Sequence, residues 1–191
     1  DETIFLFMGG FIIALAMEKW NLHRRIAISI ISMVGTNMDR IVLGFMIATG
    51  FLSMWISNTA TAMMMIPIGL AIINQVADGL KNDPSIDTSP QRFAFGKALM
   101  LGIAYSASLG GIATLIGTPP NTLLAGAINK MYGIELSFAG WMLFGVPFAW
   151  IFIFVTWIYL VKIAFPSKLK TLPGGRAVID KQKSDLGAAS I

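Results

Sequence analysis

The chain predicts an all-α membrane protein built around a re-entrant helical hairpin and a discontinuous transmembrane helix. Three observations carry this. The composition is 55% hydrophobic and 13% charged, with a mean hydropathy of +0.73, which suits helices in lipid and not a water-soluble core. The runs 41–77, 98–129 and 136–161 contain no Asp, Glu, Lys or Arg. Two of those runs are broken in the middle by polar or turn-forming residues: "SNT" at 57–59 and "GTPPN" at 117–121.

Residues 1–38 combine a first apolar segment, ended by "EKWNLHRR", with an amphipathic stretch over 26–38. Arg25, Ser29, Ser32 and Thr36 share one helical face, and Ile26, Ile30, Met33 and Val34 lie nearer the other. An in-plane arm helix at the interface and the frayed end of the first span both fit that pattern.

Residues 39–78 hold the charge-free run 41–77. About 37 residues are too many for one crossing and too few for two crossings with a loop. The turn formers are central, so two arms of about 16 residues would each reach only about 24 Å. A hairpin that enters and leaves by one face, with its tip at 57–59, fits the length. Irregular backbone at that depth survives only against protein or a watery cavity. The loop 79–92, "GLKNDPSIDTSPQR", is rich in turn residues.

Residues 93–130 read as a broken crossing: a helix over 93–108, an unwound loop, and a second helix over 120–130. Pro119 and Pro120 cannot continue a helix but suit the first turn of a new one. Gly110–Gly111 suits either a break or close helix packing. Residues 136–162 form a span; about 26 residues reach roughly 39 Å, enough for a ~30 Å core with tilt. Trp141 and Tyr159 at its ends suit interfacial belts. Residues 163–191 are a basic linker, suited to anionic lipid and not to nucleic acid. The opening "DETIF" and closing "GAASI" read as the ends of a fragment of a longer chain.

A hairpin returns to its own side, and the next two elements cross and cross back. The 78–97 loop and the tail therefore share a side, which the lysines and arginines of the tail make cytoplasmic.

Helix ends inside a membrane present bare carbonyls and bare N–H groups with partial charges of opposite sign. Two such breaks meeting at mid-depth would seat a cation on carbonyls and an anion on N–H groups and hydroxyls, as ion-coupled carriers do. Ser, Thr and Asn offer neutral oxygens for a hard cation. The lack of His, Asp and Glu in the three runs speaks against an intramembrane enzyme and favours sodium over a protonated site. The absence of Cys excludes disulfides and thiolate metal sites. A re-entrant-loop channel stays open as a rival.

"LSMWISNTATAMMMIP" (52–67) followed by "AYSASLGGIATLIGTPPN" (104–121) resembles the divalent anion/sodium symporter family. The likeness covers nearly the whole chain up to the basic tail. It implies one inverted-repeat half of a secondary transporter, a sodium-coupled carrier of di- or tricarboxylates of the succinate, malate or citrate class. It further implies an elevator-type cycle, a homodimer, a second repeat in the same parent chain, and residence in the plasma (inner) membrane. By position, Ser53, Ser57, Asn58 and the Gly117 carbonyl would bind Na+. Asn58, Thr59 and Thr118 would touch a substrate carboxylate. A dicarboxylate exchanger or a sulfate carrier of the same family is the alternative. With one Ser-Asn-Thr tip of the family's two, this chain alone is expected not to transport.

Overall fold

A computed structural model describes residues 37–80 and 92–166, together with residues 8, 9, 12, 16, 19, 20, 25, 29 and 89. Apart from those residues, the expected first segment and arm over 1–36, almost all of the 79–92 loop, and the tail beyond 166 lie outside the described residues. The described residues form five α-helices and no strand: α1 (Met38–Ser53), α2 (Asn58–Gly79), α3 (Ala94–Ile112), α4 (Pro119–Tyr132) and α5 (Phe138–Ile158), the last continued by a π-helical turn, Tyr159–Ala164. Among the described residues, three stretches are long and apolar enough to cross a membrane: Asn58–Gly79, Ala94–Ile112 and Phe138–Ala164.

Local chemistry sets the helix ends. Asn37 caps α1 by accepting the Arg40 N–H, and Asp39 sits in the first turn, where a negative charge meets the positive end of the helix. Ser57 caps α2 through the Ala60 N–H, and Ser137 caps α5 through the Gly140 N–H. The α4 helix starts on the Pro119–Pro120 pair and ends at Gly133, whose φ of 66° is a left-handed conformation that glycine adopts without strain.

The break in the first charge-free run falls at 54–57, slightly ahead of the expected 57–59, because Ser57 acts as the cap and leaves Asn58 and Thr59 in the first helical turn. The arms are also unequal. The 16 residues of α1 reach about 24 Å, short of a ~30 Å core. The 22 residues of α2 reach about 33 Å, because that helix runs past the charge boundary at Asp78.

Helix α3 is the post on which α1, α2 and α5 pack. A Cβ on Gly110 would collide with Gly50 of α1, and one on Gly102 would meet Met46 and Val42. So α1 runs alongside α3 in the same direction. A Cβ on Gly111 would fall on the Asn58 side chain, one on Gly69 on Met100 and Ile103, and one on Gly96 on Ile73. So α2 runs along α3 in the opposite direction. The two arms form a helical hairpin whose tip lies at the C-terminal end of α3. Helix α5 lies against α3 and α1: a Cβ on Gly145 would meet the Ala113 and Ile112 carbonyls, and the side chain of Ile153 presses on Gly50.

The core runs the length of this contact. Phe45, Met46, Leu52, Met65, Val76, Leu99, Ile103 and Ile153 are all fully or almost fully buried in one cluster. Met65 is buried in this core, whereas Met63 on the same helix is exposed. Trp157 donates its indole N–H to the Asp39 carbonyl at 2.8 Å, and Lys162 Nζ lies 2.6 Å from Asp39 Oδ2. The start of α1 and the end of α5 therefore share one end of the bundle. At the other end, Trp141 gives its indole N–H to the Ile112 carbonyl at 2.9 Å. A helix that stops at Ile112 leaves a carbonyl in need of a donor, and Trp141 supplies it.

Candidate functional site: two broken helices pinned together

Both interruptions meet at one place. Thr114, fully buried between α3 and α4, donates its hydroxyl to the Met54 carbonyl at the end of α1 and accepts the Gly117 N–H at 3.0 Å. Asn121, on the first turn of α4, donates its amide to the Gly111 carbonyl at 2.8 Å and the Thr114 carbonyl at 2.7 Å. Two side chains thus bind three peptide carbonyls that the breaks would leave bare. Gly117 folds back onto α3, where a Cβ would lie 3.0 Å from the Gly111 Cα.

Helix α3 extends to Ile112, four residues past the expected end. Gly110 and Gly111 lie inside the helix and serve close packing: one admits the Gly50 backbone, the other the Asn58 amide. The break is confined to 113–118.

Within this arrangement the residues singled out from the sequence fall into two groups. Ser53 is fully buried and donates to the Ala107 carbonyl at 2.6 Å. Its Oγ also lies 2.8 Å from Asn58 Oδ1. A hydroxyl carries one proton and satisfies one such acceptor at a time. The second oxygen–oxygen contact calls for an amide N–H turned toward the hydroxyl, or for a cation shared by the two oxygens. Gly117 is buried at the break against Gly111, the residue that Asn58 also meets. Ser57, Thr59 and Thr118 are the second group, set apart by their greater exposure. Ser57 and Thr59 are exposed and Thr118 is half-buried. Ser57 Oγ accepts the Ala60 N–H, which leaves a lone pair and its own proton for a ligand. Thr118 is the N-cap residue of α4, yet its side chain makes no capping bond.

The two breaks differ in their chemistry. The N-terminus of α2 carries the N–H groups of Asn58 and Thr59, which have no partner within the helix. The start of α4 was expected to supply N–H groups as well, but Pro119 and Pro120 have none, and the Asn121 N–H bonds the Thr118 carbonyl. The free N–H groups at the breaks therefore lie chiefly on α2.

A model of the citrate transporter family (CitMHS) matches residues 1–185. The chain belongs to the citrate transporter family. The likeness to divalent anion/sodium symporters read from the two motifs is borne out, and the family with its apolar helices makes this an integral membrane protein. The sodium-dependent dicarboxylate transporter SdcS of Staphylococcus saprophyticus is 54% identical over 188 residues, covering 98% of this chain and 36% of the relative. The SdcS proteins of Staphylococcus aureus strains USA300 and NCTC 8325 are each 50% identical over 187 residues, covering 98% of this chain and 35% of theirs. The chain thus spans about a third of the length of the curated relatives it matches.

Sequence reasoning missed Thr114 and Asn121 as the residues that hold the breaks together. The visible signal was "GTPPN", where an Asn directly after two prolines lies in a helical turn short of N–H donors. Thr114→Val in the full-length parent would leave the Met54 carbonyl buried without its donor and the Gly117 N–H with only its longer bond to the Thr114 carbonyl, at 3.4 Å. We expect a loss of about 2 kcal/mol or more of stability, with Thr114→Ser near wild type. Thermal unfolding in detergent measures both, and an unshifted valine variant would show that Thr114 does not hold the tip.

Proposed function

We propose that this chain is one inverted-repeat half of a sodium-coupled carrier of di- or tricarboxylates, and that the pinned tip is half of its transport site. The close approach of Ser53 Oγ and Asn58 Oδ1 beside the glycine loop carries this reading. Two neutral oxygens at that distance, in a buried place, suit a hard monovalent cation. The Ser53, Ser57 and Asn58 side chains with the Gly117 carbonyl would hold Na+. The Asn58 amide, the Thr59 hydroxyl and N–H, and the Thr118 hydroxyl would hold a substrate carboxylate. Asn58 then faces both guests, so each strengthens the binding of the other through one side chain. The names of the SdcS relatives, sodium-dependent dicarboxylate transporters, point the same way.

The hairpin is re-entrant in this reading, entering from the side that bears the loop after α2 and the basic tail, which the positive-inside rule makes cytoplasmic. The join of Asp39 to Trp157 and Lys162 ties the hairpin base to α5. That favours the hairpin, α3 and α5 moving as one elevator body against a dimerising scaffold. Outward-facing Leu143, Phe144 and Leu123 would meet lipid or the second repeat of the parent chain. The protein is then a carrier and not an enzyme, housed in the plasma membrane.

The test is uptake of a dicarboxylate by the full-length parent in proteoliposomes, with and without a sodium gradient. Thr118→Val is expected to raise the half-saturating substrate concentration about tenfold or more while changing that of sodium less. The opposite ordering would place Thr118 on the cation, and uptake indifferent to sodium would end the reading.

A further inference from the structure

The buried hydroxyls of the described helices follow a pattern that one residue breaks. Thr49 donates to the Phe45 carbonyl at 2.7 Å, Ser106 to the Gly102 carbonyl at 2.6 Å, and Ser53 and Thr114 to carbonyls of neighbouring elements. Thr61 is as buried as these, at 0% exposure, yet its Oγ1 is the one buried side-chain oxygen or nitrogen among the described residues with no hydrogen-bond partner. A threonine in a helix ordinarily satisfies itself on the carbonyl four residues back. That carbonyl belongs to Ser57 and accepts the Thr61 N–H at 2.9 Å, but the hydroxyl does not use it. An oxygen left alone in this way costs stability, so its place calls for a cause.

That place is one helical turn from Asn58, whose amide oxygen is assigned above to the cation. Thr61 is three residues after Asn58, hence one turn along the same side of α2. It opens the buried stripe Thr61, Met65, Ile68, Ile72 and Val76. Contacts at Gly111 with Asn58, and at Gly69 with Met100 and Ile103, fix the antiparallel register of α2 on α3. Between those two points Thr61 falls level with Ala107, whose carbonyl takes the Ser53 hydroxyl. Ser53, Asn58 and Thr61 thus gather on one turn of α3.

Building on the sodium reading above, we propose that the Thr61 hydroxyl is a further oxygen of the sodium site, turned from its own helix so that it meets the cation. A hard cation takes several oxygens, and a neutral hydroxyl supplies one without bringing a proton to lose. Thr61 thereby links cation binding to the packing of α2 on α3. The bound ion stabilises the hairpin against its post, and in the sodium-free protein the oxygen is a local weakness.

The experiment uses the full-length parent in detergent and in proteoliposomes. Sodium is the probe, with choline as the replacement salt. Thr61→Val keeps the shape and removes the oxygen. Without sodium it should unfold at or above the wild-type temperature, because it replaces an unpaired buried hydroxyl with a methyl group. Its sodium-induced rise in unfolding temperature should shrink, and the sodium concentration for half-maximal uptake should increase about tenfold. Thr61→Ser, which restores an oxygen, should recover most of that loss. A valine variant with the wild-type sodium response would overturn the proposal, and so would one that fails to fold, since the hydroxyl would then be structural. Asn58→Ala separates the two readings. If it abolishes the sodium response while Thr61→Val does not, only the role of Thr61 falls. If neither matters, the sodium site itself is misplaced.

Discussion

Gly110→Ala in the full-length parent abolishes most folded, extractable transporter. A Cβ at this position would lie 2.7 Å from the Gly50 Cα and 2.8 Å from its carbonyl carbon. The obstacle is backbone on a packed helix, so no rotamer change relieves it. Helices α1 and α3 would have to part along the line that also carries Phe45, Met46, Leu99 and Ile103. Overpacking of this kind costs about 1–3 kcal/mol and more where backbone must shift, a large share of the 5–15 kcal/mol that holds a typical protein folded. Separating α1 from α3 would also draw the Met54 carbonyl from Thr114 and so open the site. Gly126→Ala is the control. It lies within α4, where a Cβ would have nothing within 4 Å, and helix propensity alone should make it neutral or stabilising by up to about 1 kcal/mol. Size-exclusion profiles and unfolding temperatures of the pair measure the difference. Equal behaviour of the two variants would mean that the close crossing of α1 and α3 is not required.

Asn58→Ala has the second large effect, on function and not on folding. Ser53 keeps its bond to the Ala107 carbonyl, and the alanine leaves a small gap over Gly111, so folded protein is expected. What disappears is the one side chain assigned to both guests. Half-saturating concentrations of sodium and dicarboxylate should both rise about ten- to a hundredfold, the range for losing a hydrogen bond or ion contact to a charged partner. Isotope-labelled succinate uptake at varied sodium, and at varied succinate, gives the two numbers. An unchanged sodium dependence with weakened substrate binding would remove Asn58 from the cation site and leave it a substrate residue only.

Much of this was readable without a structure. The interruption of 41–77 at "SNT", the restart at Pro119–Pro120 and the apolar run 136–161 each follow from local rules: caps, proline geometry and the length needed to cross lipid. The sequence by itself therefore determined that two helices break, roughly where they break, and which neutral oxygens lie at the breaks. Short-range patterns decide these features because helix ends are settled by the few residues around them.

Only the tertiary structure decided what the breaks do to each other. Gly110 and Gly111 read equally as a loosened backbone or as a close crossing, since a glycine says that something needs room but not what it is. Gly50 and Asn58 supplied the answer, about 50 to 60 residues away along the chain. The roles of Thr114, Asn121 and Trp141 depend on carbonyls left bare by helix ends in other segments, and no periodicity within their own segments records those. The unpaired hydroxyl of Thr61 was not legible either: Thr49 and Thr61 are one residue type, each buried in a helix, yet Thr49 bonds the carbonyl four residues back and Thr61 does not.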